Sequence, residues 1–138
     1  MAEPIRVFIV DGYAALNHLL KIQIELEPGL IVVGEAEARF IEMGTLIFLE
    51  PDVILIDVDS QFERIMDTAQ SLRAALGSIP ILFLSLDDRP ALQIVADSVG
   101  RAQIVVKEGN PASLMKALRR AGNENSIPIA QDNGSEIA

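Results

Sequence analysis

The chain has 138 residues, half of them apolar and 22% charged, a balance that suits one globular domain with a full core and leaves no room for two of ordinary size. Eleven basic residues against twenty acidic ones give a net charge of −9, which repels nucleic acid, so direct nucleic-acid binding by this domain is not expected. With no cysteine, disulfide frameworks and thiolate metal sites are excluded, and no apolar run approaches membrane-spanning length; a cytoplasmic protein is the expectation.

The first apolar run, "IRVFIV" (5–10), leads to Asp11 and is continuous enough to be a strand buried on both faces. Residues 14–27 carry Leu16, Leu19, Leu20 and Ile24 at spacings of three and four, a helical stripe that "EPG" closes. A second strand, "LIVVGE" (30–35), precedes a helix over about 38–49, which Gly44, Thr45 and Ile47 weaken. "DVILID" (52–57) is the third strand. The helix after it spans 63–76 through Ile65, Met66, Ala69, Leu72 and Leu76, with Gly77 at its C-cap. "PILFLS" (80–85) is the fourth strand; Pro90 opens a fourth helix, with Asp87 and Asp88 placed to cap it. "AQIVV" (102–106) completes the strands, and Asn110 and Pro111 start a fifth helix. From Gly122 onward the chain is polar and lacks helical periodicity. The expected division is therefore a domain over 1–121 and a flexible tail or linker over 122–138.

Five such alternations predict an α/β sandwich around a five-stranded parallel sheet, because each parallel return needs a helical crossover. Ligands of such sheets bind outside the carboxyl ends of the strands. Those ends carry Asp11, Asp57, Ser85 and Lys107. An aspartate can be a nucleophile toward phosphorus, carboxylates and waters suit Mg2+, and a hydroxyl and an ammonium pair with phosphoryl oxygens. Singly, each residue is equally at home as a cap, a turn former or a solvated charge. Four matching strand ends point to a phosphate site.

The motifs "IRVFIVD", "EPGLIVVGEA", "EPDVILID", "IPILFLS" and "VVKEGNPASLMKAL" follow one another over about residues 5–121, and there the chain resembles a receiver domain of a bacterial two-component response regulator. The resemblance implies a flavodoxin-like (CheY-like) three-layer sandwich of strand order 2-1-3-4-5 with five helices. It places Asp57 on the phosphoacceptor, Ser85 on the switch hydroxyl, Lys107 on the family's lysine and Asp11 on the first of two acids serving Mg2+. Gly12 stands where the second acid belongs, so metal affinity should fall. Asp59, two residues past Asp57, is a candidate replacement ligand through its side chain or carbonyl; otherwise it is a solvated loop carboxylate. "VDSQFERI" departs from the usual loop, Leu86 replaces a small residue and should crowd the pocket, and Ile104 replaces a switch aromatic.

The resemblance implies a signalling module that accepts a phosphoryl group on Asp57 from a sensor histidine kinase or phosphotransfer protein and then changes partner affinity, with no enzymatic role beyond that self-catalysed transfer. An alternative is an atypical receiver acting without phosphate in protein interaction or dimerisation, as a homodimer through the last helices and strand. A third reading rests on "ILIDVDS", which resembles the DxD motif of haloacid-dehalogenase-type phosphatases, with Asp59 as acid/base. His18 is expected on the surface of the first helix, and "KALRR" at the negative end of the last helix.

Overall fold

Side chains alternate across a strand, so in a sheet covered on both faces odd and even positions serve different cores. The computed structural model describes residues 3–11, 14–59, 62–107 and 110–125. Its elements in order are β1 (Ile5–Asp11), α1 (Ala14–Glu25), β2 (Leu30–Glu37), α2 (Met43–Leu49), β3 (Val53–Asp57), α3 (Ile65–Leu76), β4 (Ile81–Ser85), α4 (Pro90–Val99), β5 (Ala102–Val106) and α5 (Ala112–Asn125). The strands form one parallel sheet of order β2-β1-β3-β4-β5, the order the resemblance implies.

One face packs Val7, Ile9, Val53, Leu55, Leu82 and Leu84 against Leu20 and Ile24 of α1 and Leu114 and Leu118 of α5. The other turns Phe8, Val10, Ile54, Ile56, Ile81 and Phe83 toward Leu46 of α2, Leu72 of α3 and Leu92 and Val95 of α4. These side chains are almost wholly withdrawn from water, and each contributes about 1.5–3 kcal/mol by its burial. With both faces filled this way, β1, β3 and β4 are fixed in register, and the strand ends sit on a rigid base.

Arginines tie the opposite end of the sheet. The Arg73 guanidinium donates to the carbonyls of Gly77, Ile79, Val99 and Gly100, joining the ends of α3 and α4 to the start of β4. Arg6 does the same for α2, donating to the carbonyls of Leu49 and Glu50. A cation on these carbonyls also opposes the negative end of each helix dipole.

Several local expectations change. β2 runs on to Glu37, and the segment 38–40 forms a short 3-10 turn instead of the start of a helix; α2 begins only at Met43, where the Glu42 carboxylate accepts from the Thr45 N–H. β2 also holds a bulge. Val7 pairs with Val32 but Phe8 with Gly34, leaving Val33 as an extra residue, and a Cβ on Gly34 would lie 2.8 Å from the Phe8 ring. α3 likewise starts at Ile65 after a 3-10 turn at Phe62–Arg64. At the far end α5 continues to Asn125, past the expected break at Gly122. Gly122 lies directly over Ile5, where any side chain would overlap it. That glycine serves close packing and does not end the helix. Arg119 lies mid-helix rather than at the helix end and reaches Glu27 and the Pro28 carbonyl. Among the described residues no helix is long and apolar enough to cross a membrane.

Candidate functional site

Asp11, Asp57 and Ser85 close β1, β3 and β4, and Lys107 directly follows β5, so the topology brings all four to one rim. Asp11 and Ser85 are fully buried and Asp57 nearly so. The Lys107 N–H donates to the Ser85 carbonyl at 2.7 Å, which fixes the lysine's backbone beside β4. Its ammonium reaches across the rim to Asp57, 2.9 Å from Oδ2 and 3.1 Å from Oδ1. Between α1 and α5 a groove of about 310 Å³, lined by Leu19, Leu20, Leu84, Leu114 and Lys107, opens onto Asp57.

Asp59 lies at the centre of this rim, and a solvated loop carboxylate does not describe its surroundings. The carboxylate is only 15% exposed and so is not solvated. Lys107 Nζ lies 2.8 Å from Oδ2, the Leu86 N–H donates to the same oxygen at 2.9 Å, and the Ser85 hydroxyl donates to Oδ1 at 3.3 Å. Arg89 Nη2 is also 3.3 Å from Oδ1. The Asp59 N–H in turn donates to Asp57 Oδ1 at 3.2 Å. Leu86 does not crowd the rim: its side chain is 66% exposed, and its contribution there is the backbone N–H. Asp87 does not cap α4. Its carboxylate accepts from Arg89 Nε at 2.9 Å, and the N-cap position belongs to Arg89, without a side-chain cap. The Arg89 guanidinium also lies over the Phe62 ring, 4.7 Å from its centroid.

The two loop carboxyls respond oppositely to this setting. Burial raises the Asp57 carboxyl above its ordinary value, and the Asp11 charge adds to the rise; the hydrogen bond and charge of Lys107 only partly offset them. For Asp59 burial acts in the same direction, but the hydrogen bonds from Lys107, Leu86 and Ser85 and the lysine charge outweigh it, and the carboxyl falls. Burial lowers the Lys107 ammonium, yet its bonds to Asp59 and Asp57 and their charges leave it raised. A carboxylate paired with lysine ordinarily falls, so the rise at Asp57 conflicts with a simple ion pair. Burial of Asp57 is the deeper of the two, and Asp59 is therefore the better satisfied partner of Lys107.

No family model matches the chain. It is 29% identical over 126 residues to the nitrate/nitrite response regulator protein NarP of Escherichia coli, an alignment covering 91% of this chain and 59% of that protein. The chain thus spans under two thirds of the length of that relative. The signal receiver domain of a response regulator named NarL from Mycobacterium tuberculosis superposes with a TM-score of 0.74 at 23% identity, over 88% of this chain and 98% of that one. The chemotaxis protein CheY4 of Vibrio cholerae does so with a TM-score of 0.71 at 23% identity, over 86% and 98%. The chain has the fold of response-regulator receiver domains and is similar in sequence to such regulators.

Among the described residues the rim fits Mg2+ poorly. Among the described residues no three acidic or histidine side chains gather as a metal-holding group. A carboxylate offers about four lone-pair positions, and those of Asp59 are taken by hydroxyl, amide, guanidinium and ammonium donors. Gly12, which brings no carboxylate, lies outside the described residues, as do Tyr13 and Glu108. His18 is exposed on α1. Ile104, at the switch aromatic's position, is half-buried and packs with the Phe83 and Val95 cluster.

Two participants had no role in the sequence reading. Arg89 and Phe62 shape the rim without lying at a strand end. Arg89 did carry a signal, a cation close after β4 in a chain with a large acidic surplus.

Proposed function

We propose that this receiver is the input module of a two-component response regulator and takes a phosphoryl group on Asp57 from the phosphohistidine of a sensor kinase or phosphotransfer protein. In that step an Asp57 oxygen bonds to phosphorus as the P–N bond breaks, and the departing imidazole keeps the electron pair and takes a proton. The observation that carries the reading is Asp57 itself, a buried carboxylate at the end of β3 held by Lys107 and facing the α1–α5 groove. Lys107 would neutralise the added charge, and the Ser85 hydroxyl would bind a phosphoryl oxygen. Intact mass after incubation with acetyl phosphate and Mg2+ tests this. The parent should gain one phosphoryl group and Asp57→Ala none; a parent that gains none overturns the reading.

A second reading has its own support. Ser85, the Leu86 amide and Lys107 already engage an anion, Asp59, before any phosphate arrives. That arrangement suits a receiver whose partner-binding or dimerisation face is set without phosphorylation. Leu86 and Ile94 of the β4–α4 side and Val106 of β5 offer exposed apolar surface for it. Sedimentation of parent and Asp57→Ala separates the two: association that is equal in both, with and without phosphodonor, supports this second reading. The dehalogenase-type alternative is disfavoured because Asp59, its acid/base, has both carboxylate oxygens engaged by Ser85, Leu86, Arg89 and Lys107.

A further inference from the structure

Ser85 Oγ, the Leu86 N–H, the Arg89 guanidinium and the Lys107 ammonium converge from the ends of β4 and β5 on a single point. Hydroxyl, amide, guanidinium and ammonium together make the donor set of an oxyanion site. Two of the donors carry full positive charge in a chain of net charge −9, so their grouping is not a product of a generally basic surface. Further contacts fix the donors. Arg89 is braced by Asp87 and the Phe62 ring, the Asp87 N–H donates to Ser85 Oγ, and Lys107 is tied to the Ser85 carbonyl through its own backbone.

We infer that the Asp59 carboxylate is a resident occupant of this oxyanion site, an internal stand-in that draws Ser85, Leu86, Arg89 and Lys107 together and competes with external oxyanions for the site while its charge remains. The inference shares with the proposed function only the idea that the rim suits a phosphoryl-type anion, and it does not require Asp57 to be modified.

The geometry of Asp59 is specific to that role. Both of its oxygens face donors: Oδ1 takes Ser85 and Arg89, Oδ2 takes Lys107, and the Leu86 N–H lies within reach of both, at 3.2 and 2.9 Å. A surface carboxylate in a salt bridge ordinarily retains water on most of its lone pairs, whereas this one is 15% exposed. Two consequences follow. The loop after β3 is fastened to the loop after β4 in the unmodified protein, and an incoming oxyanion must displace Asp59 before it gains the same donors.

The test uses the whole chain and inorganic phosphate, titrated against sodium chloride of equal ionic strength, with the Leu86 amide followed in proton–nitrogen correlation spectra. In the parent the Leu86 resonance should not respond to phosphate beyond the chloride control. In Asp59→Ala it should shift saturably, with an affinity about tenfold or more above any the parent shows. Asp59→Asn, which keeps the shape and loses the charge, carries the same expectation and serves if the alanine variant does not fold. Adding Arg89→Gln to the alanine variant should weaken phosphate binding. A parent that binds phosphate as tightly as the variants, or folded variants whose Leu86 amide shows no saturable shift, overturns the inference. Because the titration forms no covalent bond at Asp57, failure of acetyl phosphate to modify the parent rejects the proposed function and leaves this result standing.

Discussion

Replacing Asp57 with asparagine removes a negative charge from a side chain only 8% exposed while keeping its size and its ability to accept a hydrogen bond from Lys107. The loss is that the Lys107 contact changes from an ion pair to an ammonium–amide hydrogen bond, about 1 kcal/mol. The gain is relief of carboxylate burial, which carries an effective penalty of several kcal/mol before compensation. Compensation is incomplete here, since burial and the neighbouring Asp11 raise the Asp57 carboxyl in spite of Lys107, which moreover keeps Asp59 as its second partner. The variant should therefore be more stable than the parent at neutral pH by about 1–2 kcal/mol, a rise in melting temperature of about 3–8 °C for a chain of this size. The pH dependence provides the sharper signature. A carboxyl whose folded value lies above the unfolded one binds its proton more tightly in the folded state, so the parent loses stability as pH rises from the ordinary value of 3.8 through the raised one. The advantage of Asp57→Asn should thus be absent below that window and complete above it. Thermal unfolding of both proteins in EDTA, from acid to neutral pH, measures it. A variant less stable than the parent at pH 7, or a difference that does not change across the window, would refute the reasoning.

The other expectations concern the base of the sheet, the last helix and the metal. Arg73→Lys should cost about 1–3 kcal/mol, because a lysine cannot span the four carbonyls that the guanidinium joins; denaturant titration with an unchanged midpoint would count against that tie. Gly122→Ala should destabilise by about 1–3 kcal/mol through overlap with Ile5. Trimming that neighbour, as Ile5→Val in the same chain, should recover part of the loss in calorimetry. Mg2+ at about 10 mM should raise the melting temperature of the parent little beyond a matched sodium chloride control, and a saturable rise would show that a metal is held after all.

The sheet was legible because its signal is strong and redundant: continuous Val, Ile and Leu runs such as 52–57 leave few alternatives to a strand buried on both faces. The rim followed from the same logic, since the ends of β1, β3, β4 and β5 had to share one edge once the strands were parallel. What sequence could not deliver was the direction of individual loop side chains. Asp59 could be read as a solvated acid or a metal ligand, and only three-dimensional closure shows Arg89 meeting it from 30 positions away and Lys107 from farther along the chain. Leu86 was judged by its bulk, whereas its amide is the part that matters at the rim. Asp87 was judged by its helix-capping propensity, which lost to the nearby guanidinium of Arg89. The polarity and missing periodicity from Gly122 onward hide the last turn of α5, which runs to Asn125 and packs Gly122 against Ile5.

The bulge in β2 bears on how copies of this chain meet in concentrated solution. β2 is an outer strand of the sheet, and its free side is where another chain could add a strand by backbone pairing. The extra residue Val33 breaks the regular spacing of its amides and carbonyls, and Glu35 and Glu37 place like charges where a second β2 would have to lie. Strand-by-strand growth into fibrils is thereby hindered at this edge, and encounters between copies are left to the other faces of the domain, the α4–β5 side among them.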